Sequence, residues 1–291
     1  MIQLPDLSTF TEIVLDPRFA VAAAISILSG AVRGFTGFGS ALIYVPLMSA
    51  VYGPKIAATS FLPIDLMTGI VFTIALWRQA KWREVLPLAG AAIFAAQFGA
   101  LILQYADPVA LRWAICLMVA ALVPVLASGW RYHGRPMLAI TLGVGLMAGL
   151  IGGAVQISGP PVILYWLGSL HHGSVVRASL VVYFTLFSTG AMAIYIYHGL
   201  LTPEVLALAA IIGPLHILAM WGGSLLYDRA SEQTYRRTAY VVIALSAIVG
   251  APVFDHLFRG QLLRNPTTSL HNVLGSYRLT PGNKITTFWS R

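Results

Sequence analysis

Apolar residues run through this chain in long blocks, without the alternation of half-buried strands, and most charged residues fall in the short stretches between the blocks. Segments of spanning or near-spanning length are predicted at 19–32, 41–51, 56–77, 85–105, 109–128, 137–151, 161–170, 175–197, 205–227 and 238–258. Rich in Ala, Leu, Ile and Val, they read as helices and not as the strands of a β-barrel. Two are short. At 1.5 Å per residue, 41–51 and 161–170 cover about half of a ~30 Å hydrocarbon core, which makes them half-helices.

Each short segment follows a cluster of small residues. Gly34, Gly37, Gly39 and Ser40 precede the first, and Gly149, Gly152, Gly153, Gln156, Ser158 and Gly159 precede the second, which opens on Pro160 and Pro161. Glycine and proline in the middle of hydrocarbon free backbone groups that lipid cannot satisfy, so such breaks persist only where protein or a water-filled cavity covers them. Sliding the chain on itself by about 120 residues aligns Gly53 with Gly173, Ala58 with Ala178 and Glu84 with Glu204, at matching distances from the two clusters. The chain is therefore read as an N-terminal segment (1–18), two transmembrane repeats (19–128 and 137–258) and a polar tail (259–291) expected to be unstructured.

Basic residues bear on how the repeats are oriented. An odd number of crossings per repeat puts Arg78, Lys81, Arg83, Arg131, Arg135, Arg177, Arg229, Arg236 and Arg237 on one side, against Arg18, Lys55 and Arg112; an even number splits the twelve evenly. The positive-inside rule thus favours inverted repeats, with the glycine segments forming re-entrant or thin helical hairpins and both termini outside. A basic tail on the outside counts against this.

Composition agrees with a membrane protein: 58% hydrophobic residues, 10% charged residues and a mean hydropathy of +0.79. The expected fold class is all-α and polytopic, in an inner or plasma membrane. The net charge of +8 sits mainly in loops, where orientation explains it, so no nucleic-acid partner is assigned. Cys116 is the single cysteine, which leaves neither a disulfide framework nor a cysteine metal site. Asp6, Glu12 and Asp16 near the start, without a basic run, argue against a cleaved signal peptide.

Ser40 and Ser158 stand where half-helices begin, and a helix N-terminus attracts an anion without any charged side chain. The competing reading is that the glycines only let helices approach closely. Arg33, just before the first break, is the leading anion contact; alternatively its head reaches the lipid surface. Asp65 lies mid-helix, where a carboxylate can carry a proton, pair with Arg33 or cap the backbone freed by Pro63; the second repeat has Thr185 at the equivalent position. Gln97 and His216 fall one position apart when the repeats are overlaid, which makes them a candidate pair along the pathway or simply hydrogen-bonding glue between helices. Gln156 is placed as a direct ligand. His171, His172 and His198 fall in short loops without a metal-binding spacing, and Arg177 reports orientation.

The spacing Gly34-x-x-Gly37-x-Gly39 running into Pro46, followed by Gly53 and a weaker copy with Gly173 and Arg177, resembles the sulfite exporter TauE/SafE family over roughly residues 15–258. The resemblance implies a bacterial multi-pass membrane protein of about eight helices built from a duplicated four-helix unit. It also implies movement of sulfite, sulfonates and other sulfur-containing organic anions. Without a Gly-x4-Gly-Lys-Ser loop, ATP is not the driving force from within this chain. The expected function is a secondary transporter for small anions, with Arg33, Gly34, Gly37, Gly39, Ser40, Gln156, Ser158 and Gly159 binding substrate and Asp65, Gln97 and His216 serving coupling or the pathway. A proton is the candidate coupling ion. No cofactor and no catalytic residue are expected; a membrane-embedded enzyme and a non-transporting assembly component are the alternatives, and the oligomeric state stays open.

Overall fold

A computed structural model describes residues 5–36, 39–128, 137–167, 173–226 and 232–254. Among these it holds α-helices and short 3-10 turns but no strand. A short helix α1 (Leu7–Leu15) precedes α2 (Arg18–Thr36), to which it is bent by 88°. The break falls at Asp16 and Pro17, where the Asp16 carboxylate accepts the Arg18 backbone N–H at 2.8 Å and caps α2.

The element order then runs twice. First come α2, α3 (Ser40–Tyr52), α4 (Pro54–Leu76), α5 (Trp82–Tyr105) and α6 (Pro108–Ala127). The second set is α7 (Leu138–Val155), α8 (Gly159–Leu167), α9 (Gly173–Tyr197), α10 (Pro203–Leu226) and α11 (Glu232–Gly250). In each set the second helix is the short one, at 13 and 9 residues.

Both short helices fold back on the helix before them. At the open end of the first hairpin, Arg18 at the start of α2 lies 4.8 Å over the ring of Tyr52 at the end of α3. In the second, Thr141 at the start of α7 shares a 2.6 Å hydrogen bond with Tyr165 near the end of α8. The reversals rely on left-handed backbone, Gly39 at φ 89° and Gln156 at φ 58°.

The registers of side chains fix how the two sets face each other. Along α4 and α9, Asp65 meets Ser188, Thr73 meets Thr185, and Lys81 just beyond α4 meets Ser179, so the two helices run in opposite directions. Since α4 and α9 are equivalent in the element order, one set is inverted relative to the other. Each hairpin lies along a helix of the opposite set. Gly30 and Gly34 of α2 rest on the backbone of His216 and Met220 in α10, while Gly145, Gly149 and Gly153 of α7 rest on Leu88, Ala92 and Ala96 of α5. A side chain at these glycines would overlap backbone, which is the close approach that small residues permit between membrane helices.

Among the described residues, six helices are long and apolar enough to cross a membrane, or seven if bent α1 and α2 form one span, against the eight or so implied by resemblance. The helix outside this count is α11, whose apolar part, Tyr240–Gly250, is shorter; α3 and α8 turn back instead of extending α2 and α7. Not every glycine is a contact: nothing lies within 4 Å of where a side chain would start at Gly143. Gly143→Ala is therefore expected to leave unfolding stability unchanged or raise it by up to about 1 kcal/mol in a detergent thermal melt.

Candidate functional site

The hairpin tips converge half-way along α4 and α9 on a cavity of about 60 Å³. One water needs roughly 10–15 Å³ measured this way, so the space suits on the order of four waters or one small oxyanion. Its polar wall is Arg33 from the last turn of α2, Ser40 from the first turn of α3, Asp65 from α4, Gln156 and Ser158 from the second break, and Ser188 from α9. Phe61, Phe184 and Phe187 supply much of the apolar wall, with Ile163 from α8.

Arg33 forms an ion pair with one Asp65 oxygen, and its Nη1 also donates to Ser40 Oγ at 3.3 Å. The other Asp65 oxygen accepts from Ser188 Oγ at 2.8 Å. The side chains of Arg33 and Asp65 are 15% and 13% exposed, so the pair belongs to the cavity and not to the lipid surface. A cation in the last turn of α2 also sits well in the field of that helix.

The two half-helix starts are unequal. In α3 the first turn closes with Leu42 N–H on Gly39 C=O at 3.1 Å, and Ser40 and Ala41, whose N–H groups have no acceptor within the helix, line the cavity. In α8 the second and third residues are Pro160 and Pro161, which carry no N–H. The dipole is present at both tips, but the donors are mostly on the α3 side.

Gln156 occupies the left-handed position after α7, where glycine is usual, at a cost of about 1 kcal/mol. Its side chain is held in place: Nε2 donates to Tyr195 Oη at 3.0 Å, and that hydroxyl donates to Gly153 C=O at 2.7 Å.

A family model described as sulfite exporter TauE/SafE matches residues 22–249. The chain belongs to this family. It is similar to a protein of Cupriavidus necator named "Probable sulfite/organosulfonate exporter TauE", with 27% identity over 233 residues, covering 76% of this chain and 89% of that one. No solved structure matches. The family is one of membrane transporters, and the matched span of this TauE/SafE protein takes in the tips of both hairpins and every residue on the cavity wall.

The remaining candidates of the TauE/SafE chain fall elsewhere. Gly34 does not border the cavity; it is a packing glycine against Met220. Gly37 and the loop with His171 and His172 lie outside the described residues, as does the tail 259–291. Gln97 and His216 are not a pair. Gln97 Nε2 lies 3.0 Å from His198 Nε2 at the end of α9. His216 is fully buried against α2, its Nδ1 3.1 Å from Ser26 C=O, with Phe61 between it and the cavity. The overlay paired them because it used a constant offset, whereas the packing does not: Gly30 rests on His216 and its counterpart Gly149 on Ala92.

Sequence reasoning missed Ser188 and the phenylalanines. Phe61 and Asp65 are four residues apart on one face of α4, and Phe184, Phe187 and Ser188 share one face of α9, so helical spacing from Asp65 was the available signal for the first of them. Thr185, which the overlay makes the equivalent of Asp65, meets Thr73, about two turns along α4 from Asp65.

Proposed function

We propose that this TauE/SafE protein is a secondary transporter, in a bacterial inner membrane, of small sulfur-containing oxyanions: sulfite and short sulfonates. The observation that carries the reading is Arg33, a guanidinium held between two hairpin tips by a carboxylate instead of by lipid headgroups. An entering sulfonate brings acceptor oxygens of its own and takes the place on Arg33 that one Asp65 oxygen holds. Ser40 Oγ and the first N–H groups of α3 bind the remaining oxygens. Phe61, Phe184 and Phe187 form the wall against which a short alkyl end packs. The printed name of the Cupriavidus necator relative supports the same substrate class.

Counterflow tests the reading. Proteoliposomes preloaded with unlabelled sulfite or methanesulfonate are expected to accumulate the labelled anion transiently, and no exchange of either anion would refute it. A simpler measurement on the purified protein checks binding: methanesulfonate at 100 times its Kd is expected to stabilise the fold by about 2.7 kcal/mol, while chloride at equal ionic strength leaves the melt where it was.

A further inference from the structure

Resting on the anion reading above, the charges around the cavity identify a second passenger. Among the residues that line it, Arg33 and Asp65 are the charged ones, and they neutralise each other. A monoanion that takes Arg33 leaves Asp65 as a carboxylate without its cation, in a space whose wall includes three phenylalanines. The helices packed on α4 offer no replacement. From α3, Tyr44 is bonded to Ser60; from α9 come the hydroxyls of Ser188 and Thr185 and the buried Tyr183. From α10, His216 stands behind Phe61 with its Nδ1 on the Ser26 carbonyl. In α5, α6 and α7, charged residues occur only near the helix starts, at Arg83, Glu84 and Arg112.

We infer that each anion is carried together with one proton, which Asp65 takes as it releases Arg33 to the anion. The charge balance closes. An empty cavity holds guanidinium and carboxylate; a loaded one holds guanidinium, anion and carboxylic acid, and both sum to zero. Ser188 suits both states, because a hydroxyl that donates to the carboxylate at 2.8 Å can accept from the O–H of the acid without moving. A lysine or a backbone N–H at that point could only donate, which favours the charged form.

The test uses the full chain in proteoliposomes and labelled methanesulfonate, which stays a monoanion across the working range, so its own protonation is silent. With the membrane potential clamped at zero, an interior one pH unit more alkaline than the bath is expected to give about tenfold accumulation. A potential imposed without a pH gradient is expected to give none. Accumulation that ignores the pH gradient and instead follows the potential, tenfold per about 59 mV, overturns the inference and leaves an anion uniporter. These wild-type measurements decide it alone. In Asp65→Asn, whatever flux remains is expected to lose its response to the pH gradient, and a retained tenfold response would also overturn the assignment. Absence of wild-type counterflow is a different failure, since it removes the anion reading and the proton with it.

Discussion

Arg33→Gln is expected to lower methanesulfonate counterflow by at least about tenfold, and more if the anion spends both acceptors on the guanidinium. The estimate follows from the 1.5–3 kcal/mol that a hydrogen bond to a charged group contributes, or about 10- to 100-fold in affinity. The same substitution strands Asp65. Breaking a buried pair by removing one partner costs about 3–5 kcal/mol, and because both side chains keep some exposure to the cavity the lower end applies here. A loss of transport in the single variant therefore mixes two causes. The double variant Arg33→Gln, Asp65→Asn separates them, since two neutral amides leave no charge unpaired. Its thermal unfolding is expected to return close to that of the parent while counterflow stays at least about tenfold down. Were counterflow to return along with stability, Arg33 would be a structural partner of Asp65 and nothing more.

The second large effect concerns the seam between the hairpins and the opposite set of helices. Gly149→Leu puts a branched side chain where the Ala92 backbone already lies, so α7 and α5 must separate and the second hairpin tip loses its position. Overpacking of this kind costs typically 1–3 kcal/mol when side chains can yield; here the obstacle is backbone, and about 3 kcal/mol or more is expected. The readout is a thermal melt and the monodispersity of the purified protein, set beside Gly143→Ala from the same helix. A Gly149→Leu protein as stable as the parent would contradict the seam as described.

The hairpins were legible before any coordinates because backbone satisfaction in hydrocarbon is so strict. Glycine clusters before apolar segments too short to span leave few arrangements open, and the asymmetry of Arg and Lys across the loops pointed to inverted sets. Arg33, Ser40, Asp65, Gln156 and Ser158 all reach the cavity because each sits at a break or on the helix that faces one. What could not be read is register. The offset between the two sets changes along the chain, so a rigid overlay matched Gln97 to His216 although packing makes Ala92 the counterpart of His216, and the contacts of Gln97 with His198 and of Asp65 with Ser188 were out of its reach. Small residues carry the same ambiguity: Gly34 and Gly39 look alike in sequence, yet one rests on Met220 and the other turns the backbone beside the cavity.

Because α2 lies along α10 and α7 along α5, neither half of the chain contains the helix that its own hairpin needs. A fragment ending near residue 128 would present the groove of Gly30 and Gly34 to lipid, with nothing to fill it. Two such fragments could shelter each other only if they entered the bilayer upside down relative to one another. Splitting the protein in the loop between α6 and α7 should thus yield pieces that are separately unstable yet complement when made in the same cell.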